Sequence, residues 1–160
     1  MLEAVELARQ IHRFDLWAWV VMPEHVHLLI WPRKGEDGPV ARVGPILTAM
    51  KQSVSKRAVR WVKANAPEFL PKMLDISPDG KRVARFWQRG GDYDRNMYSP
   101  EKIWDVIRYI HNNLVERQLC ENRLDWQWSS AIEFARPSEG LLSLNRESLP
   151  DEPWIDRSLR

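Results

Sequence analysis

Two histidines, His25 and His27, flank one valine inside the apolar run Val20-Val21-Met22-Pro23-Glu24-His25-Val26-His27-Leu28-Leu29-Ile30-Trp31. Side chains i and i+2 leave the same face of a strand, so both imidazoles project together and Val26 projects the other way. Two convergent imidazoles make half of a divalent-metal site. The alternative is a pair of polar core residues satisfied by backbone or neighbouring groups. The apolar surroundings argue against it, because burying two imidazoles costs more than one hydrogen bond each returns. A third ligand has to come from elsewhere: no cysteine is near, and Leu29 stands where a third alternate histidine would be.

Tyr109 and Asn113 are spaced i, i+4, which stacks them on one face of a helix. They are either a core-edge tyrosine with an amide near a helix end, or a nucleophilic phenol beside a metal ligand. A free phenol ionises near pH 10 and is a weak nucleophile below that, at about pH 7. A metal that draws charge off an attacked phosphate offsets this weakness. An amide oxygen is a hard donor suited to magnesium or manganese. Histidine-triad nucleotide hydrolases need histidine at alternate positions, and Leu29 argues against that class.

The elements that must position these residues are readable from spacing. Leu2 to His12 reads as a helix with Ala4, Leu7, Ala8 and Ile11 on its buried face. Asp15 to Met22 and His25 to Trp31 read as the two strands of an antiparallel hairpin around Pro23-Glu24. Pro32 to Gly44 reads as a loop. Pro45 to Asn65 reads as a helix, apolar at Leu47, Met50, Val54, Ala58 and Trp61 and basic on the opposite face. Asp75 to Lys81 is turn-rich, Arg82 to Gln88 reads as a strand, and Arg89-Gly90-Gly91-Asp92 as a flexible breaker. Ser99-Pro100-Glu101 starts a helix with a cap, a first-turn proline and an acid at the positive dipole end. That helix runs to about Asn113 and buries Ile103, Val106, Ile107 and Ile110. A further turn is expected within Glu116 to Asn122. Arg136 to Arg160 reads as irregular and peripheral.

The 160 residues fit one domain. Hydrophobic content of 44% and charged content of 29% are those of a soluble globular chain. Nine tryptophans are many for this length; some are expected in the core, and some could offer flat surfaces on which bases stack. The single cysteine, Cys120, excludes an internal disulfide framework and a multi-cysteine zinc site. No membrane span or signal peptide is visible, so the cytoplasm is the expected compartment. The net charge of +2 decides nothing about nucleic acid, because the placement of cations matters more than their sum.

Met-Pro-x-His-Val-His-Leu-Leu-Ile, then a basic helix, then Phe86-Trp87-Gln88-x-Gly90, Tyr93-Asp94-Arg95-Asn96 and Tyr109-Ile110-x-x-Asn113 resemble the HUH single-tyrosine transposases. Within them the pattern is similar to the REP-associated tyrosine transposases. The resemblance covers roughly Leu2 to Ala131, and the two signatures are specific only in combination. It implies an α+β domain with a ferredoxin-like antiparallel sheet carrying helices on one face. It implies His25, His27 and Asn113 as ligands of Mg2+ or Mn2+, and Tyr109 as the nucleophile. The reaction implied is cleavage and transfer of single-stranded or hairpin DNA through a 5′-phosphotyrosine. Such an exchange conserves bond energy, and no P-loop or dinucleotide fingerprint is present.

Candidate DNA contacts are Lys56, Arg60 and Lys63 on the basic helix face, and Arg85, Trp87, Arg89 and Arg95 where arginines interleave with aromatics. Each set also reads as a solvated face or as alternating core and surface residues. Asp92 and Asp94 are read as turn acids, Trp126 and Trp128 as packing residues, and Ser129-Ser130 is left without a role.

The chain departs from the family in starting directly in a helix, without the family's usual first strand beside the histidine strand. Three explanations are open: a start further upstream, a decayed gene, or another segment or a second chain filling the gap. Leu114 stands where relatives often carry proline and should let the helix continue. Residues 1–135 are expected to form the transposase-like domain and 136–160 an irregular tail, in a monomer or homodimer. Two rivals remain: a truncated protein that binds hairpin DNA without cutting it, and a metal-dependent phosphodiesterase that uses water.

Overall fold

The computed structural model describes residues 1–35, 38–88 and 94–153. Helix α1 (Leu2–His12) leads into strand β1 (Phe14–Val21), which pairs antiparallel with β2 (Val26–Pro32). Met22 N–H donates to His25 O at 2.9 Å and closes the expected turn. Helix α2 (Val43–Asn65) follows, then a 3-10 turn at Pro67–Phe69 and the short helix α3 (Leu70–Met73). Strands β3 (Leu74–Ile76) and β4 (Arg82–Ala84) make a second two-stranded antiparallel sheet. Helix α4 (Pro100–Glu116) and the short helix α5 (Ala131–Ala135) complete the main elements. The class is α+β, as expected. Among the described residues no helix is long and apolar enough to cross a membrane.

The expectation of helices on one face is corrected. Helices α1 and α2 cover one side of β1 through Val5, Ala8, Ile46 and Met50, which pack on Phe14, Leu16 and Trp19. Helix α4 covers the other side through Ile103, Ile107, Ile110 and Leu114, packed on Trp17, Ala18 and Val20. The register slips between Leu16 and Ala18, so Trp17 is an extra residue that lets both it and Ala18 face α4. The reason for two covers is in the strand itself. Leu16-Trp17-Ala18-Trp19-Val20-Val21 is apolar without alternation, the pattern of a strand buried on both faces.

A strand buried on both faces must also satisfy its edges. β2 serves one edge of β1. The other edge is served from far along the chain. Val21 N–H donates to Trp128 O, Ser130 N–H donates to Trp19 O, and Asn145 N–H donates to Leu16 O, at 2.9, 2.9 and 3.0 Å. Side chains complete the set: Trp19 N–H donates to Ser130 Oγ at 2.9 Å and Leu16 N–H to Asn145 Oδ1 at 3.0 Å. His111 Nε2 lies 2.8 Å from the same Ser130 hydroxyl, which also bonds Trp19 O. A neutral His111 that donates from Nε2 leaves the serine proton for that carbonyl. Residues 136–153 therefore form little regular structure, but they are not peripheral. Leu142 and Leu144 join the α1–α2 side of the core and Leu149 the α4 side, while Trp17 and Trp104 donate their indole N–H groups to Ser148 Oγ and Pro150 O.

The edge of β2 away from β1 has no strand partner among the described residues. It faces a cleft of about 710 Å³, walled by Leu47 and Met50 of α2 and by Met97, Tyr98 and Ile103 at the start of α4.

Other expectations need adjustment. The buried face of α1 is Ala4, Val5 and Ala8, while Leu7 and Ile11 are exposed. The two alanines let α1 sit close on its neighbours, and this rotates the larger side chains outward. Only Ile46 and Met50 of α2 are fully buried, and Trp61 near its end is 61% exposed, because the helix outruns the hairpin it packs on. The expected strand from Arg82 to Gln88 is paired only over Arg82–Ala84, and its partner β3 lies in what reads as a turn-rich connection. Helix α4 begins at the Ser99 cap, with Lys102 N–H donating to the serine oxygen, and passes Leu114 without a break. It stops at Glu116, and no further helical turn forms before Asn122.

Two predictions follow from the closed edge of β1. Ser130→Ala and Asn145→Ala each leave a buried backbone N–H without its acceptor and should each lower stability by about 1–3 kcal/mol. Urea midpoints read this, and an unchanged midpoint rules out the assigned bonds. The second concerns pH. Burial, then the Arg123 charge, pushes the His111 pKa from 6.5 down to about 4. The unfolded chain binds this proton first as pH falls, so the contribution is complete above pH 6.5 and is lost towards pH 4. Denaturation with a chelator present should show that decline, and His111→Gln should flatten it.

Candidate metal and nucleophile site

The hairpin and α4 bring the chemically suggestive residues to one place. Val20 lies opposite His27 across the β1–β2 ladder and faces α4, so His27 faces α4 as well. The His25 and His27 rings meet edge to face with centroids 4.8 Å apart. The His27 and Tyr109 rings meet in the same way at 5.5 Å. The early hairpin and the late helix thus place the phenol beside the imidazole pair.

Helix α4 runs antiparallel to the approach to β2, and its row of residues every four positions follows the histidine segment. Tyr109 sits at His27, and two turns later Arg117 reaches Glu24 at 3.7 Å. Asn113 lies between them on the same row. Its side chain is buried, and its Oδ1 has no hydrogen-bond partner. His27 Nε2 is also buried without a partner. Almost all buried polar atoms are paired, so each is a cost unless something binds it; Nε2 is an acceptor when the His27 proton sits on Nδ1.

Burial, then nearby charge, disfavours protonation of both imidazoles. Burial, then the charges of His25 and Arg117, lowers the His27 pKa. Burial, then Arg117, lowers that of His25, with Glu24 opposing. A neutral imidazole offers the lone pair that a cation needs. The donor set therefore fits a divalent cation: His25, His27 and the Asn113 amide oxygen. Among the described residues no group of three or more histidines, cysteines and carboxylates assembles. Tyr109 is 49% exposed, open to a substrate from solvent.

The proposed DNA contacts are not gathered here. Lys56, Arg60 and Lys63 are exposed on α2, the helix on the opposite side of the hairpin from α4. Arg85 Nε holds Asp75 at 2.7 Å, and Trp87 donates its indole N–H to Lys51 O at 3.0 Å, so both tie the small sheet and its flank together. Arg95 lines the cleft beside β2. Arg89 lies outside the described residues, as do Asp92 and Tyr93. Ser129 and Ser130 gain a structural role at the edge of β1. Trp126 packs on the α4 side and donates its indole N–H to Val21 O, whereas Trp128 is partly exposed. Arg117 is the site residue that sequence reasoning missed. The i+8 continuation from Tyr109 is the signal that could have found it.

No family model, curated protein or solved structure matches the chain.

The donor set predicts metal-linked stability. Mn2+ should raise the unfolding temperature, by linkage worth about 2.7 kcal/mol at one hundred times the dissociation constant. His27→Ala and Asn113→Ala should abolish the rise, and chelator should reverse it in the parent. An unfolding temperature indifferent to metal eliminates the site.

Proposed function

We propose that the protein is a metal-dependent DNA strand transferase that uses Tyr109 as nucleophile on single-stranded or hairpin DNA. The observation that carries this reading is the meeting of the Tyr109 ring with His27, together with the buried His27 Nε2 and Asn113 Oδ1, which lack hydrogen-bond partners. The motifs shared with the HUH single-tyrosine transposases point the same way, and a ferredoxin-like sheet belongs to this reading. So does a cytoplasmic location, in keeping with the single cysteine.

His25, His27 and Asn113 would hold Mg2+ or Mn2+. When bound there, the cation supplies positive charge to a scissile phosphate. The Tyr109 oxygen attacks phosphorus and its proton passes to water, which its exposure allows. The new bond joins the phenolic oxygen to the 5′-phosphate. The bond from phosphorus to the 3′-oxygen breaks, and that oxygen leaves as a hydroxyl after taking up a proton. One phosphoester replaces another, so a hydroxyl can later reverse the step without a nucleotide cofactor. The strand and helix fix the relative positions of phenol and imidazoles, which lowers the entropic cost of their meeting.

The test is covalent capture. With Mn2+ and a hairpin-bearing single strand, the protein should become covalently attached to DNA. Tyr109→Phe should lose the adduct and keep DNA affinity. Scission that survives in Tyr109→Phe but fails in His27→Ala selects a water-using phosphodiesterase. Affinity without scission, indifferent to metal and to His25→Ala, selects a binding-only protein.

A further inference from the structure

The hairpin has a second polar end. His25 and His27 lie where Val21 pairs with Val26, while Phe14 pairs with Pro32 at the opposite end. There a cleft of about 630 Å³ is lined by Arg9, Arg13, Trp31, Arg33 and Lys34. Four cations gather there around one indole.

The cations are not equally available. Arg9 pairs with Glu6 and donates to Ser143 O at 2.8 Å. Arg33 Nε holds the buried Asp15 at 3.2 Å, and Glu147 feels the charges of Arg33 and Arg9. Those contacts fix the two side chains and offset part of their charge. Arg13 and Lys34 are paired with no acid among the described residues. Arg13 also occupies the left-handed conformation that ends α1, with φ 51°. Glycine or asparagine is the usual choice there, and an arginine adopts it at a cost. The strained backbone sets Arg13 beside the hairpin end, where its carbonyl accepts from Arg33 N–H at 2.9 Å.

Trp31 supplies the apolar element. Its ring stacks on Trp17 with centroids 5.3 Å apart and planes within 15°, yet it remains 49% exposed and borders both this cleft and the larger one beside β2. One indole thus backs the other and holds it rigid. An inorganic anion would use the cations and leave the indole idle. A nucleotide uses both, with phosphate on the cations and base on the aromatic face.

We propose that this cleft is a second contact for single-stranded DNA, in which Arg13 and Lys34 hold backbone phosphates and Trp31 stacks a base. The proposal extends the strand-transfer reading to a longer substrate. The seven residues of β2 separate the two ends by about 20 Å. That is about six nucleotides at the 3.4 Å rise of a stacked strand. A single strand engaged at Tyr109 therefore reaches the cleft only if it continues that far.

The experiment is equilibrium binding of fluorescein-labelled oligothymidylate by anisotropy across a salt series, with chelator present so that metal-dependent chemistry is silent. The double variant Arg13→Ala/Lys34→Ala should weaken binding of a 15-mer about tenfold, and its salt slope should fall by about 1.4, two single-strand phosphates at about 0.7 each. Trp31→Leu should weaken binding about fivefold or more without changing the slope. Trp31→Phe, which keeps a ring against Trp17, should fall between. Unchanged affinity and slope in the double variant overturn the proposal. So does competition by inorganic phosphate alongside an indifferent Trp31→Leu, which would mark the cleft as an anion site only. Adduct formation at Tyr109 with normal binding by the cleft variants would defeat this inference alone. Cleft-dependent binding without any adduct would defeat the strand-transfer reading alone.

Discussion

β1 is buried on both faces from Phe14 to Val20, and the structure is organised around satisfying its backbone. Leu16, Trp19 and Val21 turn their outer polar groups away from β2, towards a side where no strand lies. Trp128, Ser130 and Asn145 meet them instead, two of these residues using side chain as well as backbone. A side-chain oxygen stands in for a strand carbonyl at Leu16 and again at Trp19. The segment after α4, from Trp128 to Asn145, is thereby part of the sheet's bonding even though it forms no strand. The same Ser130 hydroxyl holds His111 of α4, so the edge closure and the placement of the tyrosine-bearing helix share one atom.

The candidate site inherits its geometry from that arrangement. Apolar contacts of Ile103, Ile107, Ile110 and Leu114 fix α4 on the hairpin, and His111 fixes its rotation. With rotation set, residues 109, 113 and 117 have to fall along the histidine segment. His27 on β2 and Tyr109 on a packed helix are placed more exactly than loops would place them, and His25 stands one residue before the strand, its carbonyl held by Met22 N–H. The electrostatics agree with the packing: burial first, and then neighbouring positive charge including that of Arg117, disfavours protonation of His25 and His27.

Much of this was legible in the residues. The alternate histidines, the turn at Pro23-Glu24, the Ser99 cap and the spacing of Tyr109 and Asn113 each follow from local rules, and local rules hold where one element decides the outcome. Failures occur where two elements compete. Leu7 and Trp61 have helical spacing suited to a core, yet the close fit of Ala4 and Ala8 and the length of α2 leave them outside. β3 is three residues long, and its pairing with β4 across a turn leaves too little periodicity to read. The roles of Ser130 and Asn145 have no sequence signature, because a side chain that bonds a backbone more than one hundred positions away obeys no period. The dispersed DNA candidates show the same limit. A basic stripe identifies a helix face but not the direction in which that face looks.

The sequence separation of the edge bonds has a consequence for how the chain reaches this state. Ser130 bonds Trp19 across 111 positions, and Asn145 bonds Leu16 across 129. On a ribosome the hairpin emerges early but stays open along one border until those late residues follow. Closing loops of such length is entropically slow. During that interval the nascent hairpin carries bare amides beside exposed tryptophans, a state prone to wrong pairing with other chains. Growth temperature and chaperone supply should therefore govern the yield of this protein more than the strength of its finished core.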